Sequence, residues 1–543
     1  VKTFQHIIPN IIAAALAVTT FAQQVIPSSA AVDRVGNPIP AENQNPGDSG
    51  WRLDLQNWAV SDDVNGQIQG YASKTSVQKG GNINFHITVN PTQTYTIDIY
   101  RLGWYGGKGG RLMKHVDALI GSKQPDCPMI AATGLTQCNW AVGYTLNVPI
   151  TWTTGVYVAM LTNQQAYHSQ IEFVVRDDNR NADLAFQLPV ITHQAYNAYP
   201  ESTPRGKSLY GYNSSAPSIP ILNGTGSNRA VKVSFDRPGG LMLSTYQLGW
   251  EYYLLQWLER EGYDVSYITD IDAHKSALNL FKFKGVIAAG HDEYWTKEMF
   301  NHFEQARSFG VDLAFTGAND VFWQVRLEDS SSGVANRVIV CYKDRAEAPY
   351  TDLDPIKDQT RRTTEFRLLN TPRPEQTLIG VQYSTYSYGA PEFYTPHVVA
   401  NSHHWAYSGT GLVNGSSVAG IVGYEVDKLF DNYAKPISIS YTTLSNSPFT
   451  DTNGIVSMAQ ASIYQAPSGA WVFGSGSMGW SWALAKPGSE NTGIQQTMRN
   501  ILNRFVASPG VLMLYPNRNE LNNLHDLDDE DIPHKEHTDA QRN

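Results

Sequence analysis

His291, Asp292, Glu293, Tyr294 and Trp295 follow Gly290 without a break, so one imidazole, two carboxylates and a phenol fall within a single turn. Groups of this kind can hold a proton and hand it to a departing base. The bland reading is a helix cap, with Thr296 capping and Trp295 plugging the core. A second polar turn, Thr316, Gly317, Ala318 and Asn319, lies downstream. Cys341, at the end of an apolar run, is a candidate nucleophile if His291 or His193 comes within hydrogen-bond reach, although a lone cysteine there also suits plain packing. Residues 474–479 are a glycine-serine run without the context of a serine-hydrolase elbow.

These turns need a frame that holds them together. Residues 285–289 are apolar, Met299, Phe300, Phe303 and Ala306 recur at helical spacing, and residues 311–315 are apolar again, the pattern of a βαβ unit. In an open parallel sheet the loops leaving the carboxyl ends of the strands share one edge, which would bring the two turns side by side. Counting the runs at 184, 231, 265, 285 and 311 predicts a sheet of at least five strands, and residues 246–260 read as a helix through Leu248, Tyr252, Leu255 and Leu258. Residues 192–199 read as a loop after the first run. The Gly-, Ser-, Pro- and Asn-rich stretch 200–227 is long enough that a functional role is expected.

Other parts bound the problem. Residues 51–178 carry six or more short alternating runs, the signature of a β-sandwich, interrupted by Arg101, Leu102, Gly103, Trp104, Tyr105, Gly106 and Gly107. That interruption reads as a tight turn whose rings cover the sandwich or its neighbour, with a glycan or substrate platform as the rival. Cys127 and Cys138 flank a loop there and could form a disulfide in an oxidising compartment. Residues 1–31 read as a secretory signal, 32–50 as a linker or arm, 376–460 as a β-rich extension and 508–543 as a disordered tail. With 40 basic against 50 acidic residues and no basic block, nucleic acid is not an expected partner. No later stretch is apolar enough for stable membrane insertion.

Asp236-Arg237-Pro238, Trp257-Leu258-Glu259, Gly262-Tyr263-Asp264-Val265, the Gly290 to Trp295 turn, and Gly317-Ala318-Asn319 before Phe322-Trp323 together resemble the large (beta) subunit family of N,N-dimethylformamidase. The resemblance runs over residues 51–505. It implies an α/β core similar to the class I glutamine amidotransferase (flavodoxin-like) fold, preceded by the sandwich. It also implies a mononuclear iron (Fe3+) held by two tyrosinates and one glutamate, hydrolysing a small amide. Carried onto this chain, the tyrosine of the turn is Tyr294 and its partner Tyr253, with Tyr252 as the rival. The region where the family's glutamate is expected has none before Glu347, so Glu347, Glu375 and Glu425 stay open as the third ligand. His291, Glu293 and Asn319 would then serve the chemistry.

Two further readings compete: a secreted binding or structural protein on the same scaffold, and a thiol amidase built on Cys341. The partner is accordingly a small amide-like molecule or a surface glycan, and homo-oligomerisation stays open.

Overall fold

The computed structural model describes residues 36–53, 57–215, 228–239, 248–345, 351–387 and 394–511. The signal assigned to residues 1–31, the tail beyond 511 and Glu347 lie outside them. Residues 36–50 do not form a free linker: Ile39–Glu42 is a short helix with Ile39 wholly buried, and Asn37 and Asn43 donate to Gly262 O and Glu259 Oε2.

Residues 59–176 form two sheets facing a common core. One runs in the order Ala59–Val60, Tyr167–Arg176, Gly155–Asn163, Gln93–Leu102, Gly110–Gly121, with Ser76–Gln78 also pairing Tyr167–Arg176. The other is Ile68–Ala72, Asn82–Val89, Val142–Asn147. Alternate residues point inward, so Phe85, Ile97, Ile99, Tyr157 and Phe173 fill the space between them. Cys127 and Cys138 are joined as a disulfide.

Arg101 fastens this N-terminal region to the next. Its guanidinium is fully buried and grips Glu259 of the Leu248–Arg260 helix at 2.5 and 2.9 Å, while Tyr105 of the glycine-rich turn is buried beside it. Arg260 lies over the Trp104 ring at 5.6 Å. The rings of that turn therefore meet the neighbouring helix.

The central sheet runs Val265–Thr269, Leu184–Leu188, Gly285–Ala288, Asp312–Phe315, Trp471–Gly474, Ser462–Gln465, Ser440–Thr443. Its first five strands are parallel, and Ser462–Gln465 pairs antiparallel with both Trp471–Gly474 and Ser440–Thr443. The run at 231 does not join it. Lys232–Ser234 pairs with Val338–Val340 in a separate four-stranded sheet that continues through Trp323–Glu328 to Tyr294–Thr296. The fifth parallel place belongs to Trp471–Gly474, far along the chain.

The Lys297–Ser308 helix starts where expected, with Thr296 Oγ1 accepting from Met299 N at 3.1 Å and Trp295 fully buried. A helix not foreseen from the sequence, Val190–Tyr196, follows Pro189 directly after the Leu184–Leu188 strand. The β-rich region appears as paired strands, among them Gln382–Tyr386 with Glu425–Lys428.

Candidate active site

The loop after the Gly285–Ala288 strand turns sharply at Gly290, whose φ is +67° and where a Cβ would overlap the Glu251 carboxylate. At Gly317 a Cβ would overlap the carbonyl of Gly290, so the two turns touch backbone to backbone. Further bonds lock them: Asp292 N donates to Asp320 Oδ1 (2.9 Å), Val321 N to Asp292 O (2.8 Å), and Gln187 Nε2 to Asp292 Oδ2 (2.7 Å). Thr192 Oγ1, from the Val190–Tyr196 helix, accepts from Glu293 N and Tyr294 N at 3.0 and 3.2 Å. Asn319 N donates to Asp427 Oδ1 at 2.9 Å, which draws in the strand that carries Glu425.

Glu293 is the centre of what results. Tyr196 OH donates to its Oε2 at 2.8 Å, and Tyr210 OH reaches Oε1 and Oε2 at 2.7 and 2.5 Å. The two phenol rings stack at 4.3 Å between centroids, and Tyr294 meets Tyr210 edge-on at 6.2 Å. His291 Nε2 lies 3.2 Å from Glu293 Oε2, 3.5 Å from Glu425 Oε2 and 3.2 Å from Tyr196 OH. Its Nδ1 is 3.0 Å from Ala318 O, and because a carbonyl only accepts, Nδ1 carries a hydrogen. The Lys343 ammonium sits 3.6 Å over the Tyr210 ring and 5.0 Å over Trp323.

Burial and charge act together here. Burial works against the His291 imidazolium, but Glu425 and Glu293 outweigh it and push His291 up to about 10. Burial raises Glu425 to about 7 against the pull of His291. Glu293 is held below the usual carboxylate range, because His291, Lys343 and the Tyr210 hydroxyl overcome its burial. Lys343 is lowered to about 8 by burial, opposed by Glu293. The phenols of Tyr196 and Tyr210 are held well above their ordinary value by burial and by the Glu293 charge. They therefore stay protonated unless a cation favours the phenolates.

The sequence-derived candidates divide clearly. His291, Glu293, Tyr294, Asn319, Cys341 and Glu425 gather around this centre. The contacts of Tyr253 lie elsewhere: its ring meets Tyr252 at 5.4 Å, with Arg52 and Glu490 as its charged neighbours. Tyr252 OH accepts from Arg52 at 3.2 Å and its ring meets Trp51, so both helix tyrosines serve the junction with the N-terminal region. Glu375 is engaged by Arg367 Nε at 3.0 Å.

The Tyr294 hydroxyl is buried without a well-formed hydrogen bond among the described residues. Burial pushes Cys341 up to about 11. Neither histidine is set to deprotonate it, since His291 is committed as above and His193 lies between Glu172 and Glu251.

Sequence reasoning missed Tyr196, Tyr210 and Lys343. The available signals were the Thr192/Tyr196 spacing of four and the long loop that holds Tyr210.

No group of three or more His, Cys, Asp and Glu side chains among the described residues is spaced to hold a metal. The phenols change that inventory, because Tyr196 and Tyr210 both reach the Glu293 carboxylate, and two phenols with one carboxylate are hard oxygen donors of the types ferric iron takes.

Comparison with known proteins bears on the same residues. Three solved structures share weak likeness with the chain: trypsin-activated alpha-2-macroglobulin from Escherichia coli (13% identity, 23% of this chain, 8% of that one, TM-score 0.14), superoxide reductase (neelaredoxin) from Ignicoccus hospitalis (11%, 23%, 99%, 0.15), and a Paenibacillus sp. cycloisomaltooligosaccharide glucanotransferase (11%, 53%, 34%, 0.15). No curated protein matches it. The family model described as "N,N-dimethylformamidase beta subunit-like, C-terminal" matches residues 96–494, a span that takes in every residue of the Glu293 cluster. The chain belongs to the N,N-dimethylformamidase beta subunit-like family.

Proposed function

We propose that this protein hydrolyses the C–N bond of a small linear amide, with ferric iron held by Tyr196, Tyr210 and Glu293. The observation that carries the reading is the convergence of two phenol oxygens on one carboxylate, the donor types the family resemblance calls for, in residues other than those first assigned. Bound there, iron would supply Lewis acidity towards an amide carbonyl or a water.

The surrounding side chains have separate tasks. Glu425, raised to about 7, is suited to take a proton from the attacking water and return it to the nitrogen as the C–N bond breaks, giving a carboxylic acid and an amine. His291, held protonated and oriented by Ala318 O, supplies positive charge next to Glu293 and Glu425. The Asn319 side chain bonds to Glu425 and keeps it in place. The five parallel strands behind the loops support the reading of the core as amidotransferase-like.

Secretion rests on the apolar segment within residues 1–31, outside the described residues. Among those described, no helix is long and apolar enough to cross a membrane.

Metal analysis with a visible spectrum tests the proposal. Near-stoichiometric iron with a tyrosinate-to-iron absorption band, and turnover of a small formamide, are expected. Colourless, metal-free protein purified under iron-replete conditions would instead favour the binding-protein reading.

A further inference from the structure

A cavity lies on the far side of the Val190–Tyr196 helix. That helix sends Thr192 and Tyr196, four residues apart, towards Glu293, while Val190, His193 and Gln194 line this cavity of about 120 Å³ against the N-terminal sheets. The opposite wall includes Ser169 and Glu172 of the Tyr167–Arg176 strand. Arg237, from the Asp236-Arg237-Pro238 motif that the candidate active site leaves unused, also lines it.

The polar lining is unusual in being incomplete. His193 is 3% exposed, and its nitrogens stand 3.6 Å from Glu172 and 3.7 Å from Glu251, beyond hydrogen-bond length. Both imidazole nitrogens, both Glu172 oxygens, Ser169 Oγ and Arg237 Nε are buried without a hydrogen-bond partner among the described residues. Arg237 otherwise spends its guanidinium on the carbonyls of Asn197, Tyr199 and Lys207. These unsatisfied groups all belong to residues that line one cavity, an arrangement an occupant would complete.

We infer that this cavity is a second binding site, for a small amide-like molecule. Glu172 and Ser169 offer acceptors to N–H groups, Arg237 Nε offers a donor to a carbonyl, and Val60, Val158 and Phe235 offer apolar surface to methyl groups. One planar group with N–H beside C=O matches that lining. The inference stands apart from iron and from turnover, because none of the lining side chains named here belongs to the Glu293 cluster.

Acetamide is the probe, titrated into the full chain by saturation-transfer NMR over a range that allows for an affinity no tighter than about tens of micromolar, the limit for so small a ligand. Binding should weaken at least about tenfold in Glu172→Leu and in the milder Ser169→Ala. It should persist in Glu293→Gln, which alters the Glu293 cluster and leaves this cavity's lining intact. Crystals soaked in acetamide should show it against Glu172.

Absence of saturable binding, binding unaffected by both cavity substitutions in folded protein, or ordered water alone in the soaked cavity would each overturn the inference. If Glu172→Leu fails to fold, Ser169→Ala decides.

Discussion

The hydroxyl of Tyr210 reaches both carboxylate oxygens of Glu293, at 2.7 and 2.5 Å, and Tyr196 joins it from a different element. If these three side chains hold iron, Tyr196→Phe and Tyr210→Phe should each lower iron affinity by at least about 100-fold, more than loss of an outer-shell partner costs. Each should also bleach the visible band. Tyr253→Phe should change neither, since its neighbours are Tyr252, Arg52 and Glu490. Metal content and spectra of the three variants decide between the two assignments.

Cys341→Ala should keep both iron and turnover. Its thiol is pushed up to about 11, and neither His291 nor His193 is positioned to deprotonate it. Abolished turnover with retained iron would establish the thiol mechanism instead.

The buried Arg101–Glu259 pair predicts an asymmetric mutational response. Arg101→Met or Glu259→Gln alone leaves its partner's charge or donors stranded, and denaturant unfolding should show a loss of about 3–5 kcal/mol. Replacing both with Met and Leu should cost clearly less than the sum of the single changes.

His193 predicts a pH dependence. Burial disfavours its imidazolium, but Glu172 and Glu251 outweigh that and raise it from 6.5 to about 10. Between those values the folded state binds the extra proton. The stability it contributes is therefore complete below about pH 6.5 and is lost as pH rises through about 10, by at most about 1.4 kcal/mol per pH unit. His193→Gln should flatten that part of the stability profile.

Gly317 has no room for a side chain, because a Cβ would occupy the position of the Gly290 carbonyl. Gly317→Ala should cost at least about 3 kcal/mol, at or above the upper end for overpacking, and should release iron together with the displaced loop.

Much of the scaffold around the site was legible because periodicity is local. The 285–289 run, the Thr296 cap, the Trp295 plug and the Met299 to Ala306 stripe all concern residues a few positions apart, and the structure places them as expected. The site was legible only in part. Tyr196 and Tyr210 reach Glu293 across 97 and 83 positions of chain, a distance that spacing rules do not span. The resemblance pointed to Tyr253 or the adjacent Tyr252 on the preceding helix, yet Trp51 and Arg52, some 200 residues earlier in the chain, occupy that face. The run at 231 looked like its neighbours in composition, but strand pairing depends on partners, and its partner was Val338–Val340.

The guanidinium of Arg101 has a last consequence, for inheritance and for dissection of the molecule. A fragment ending near residue 180 would retain a cation shaped for a carboxylate that the next 80 residues have yet to supply. The two regions are thus poor candidates for independent shuffling, and the first should wait on synthesis of the second before that strand edge settles.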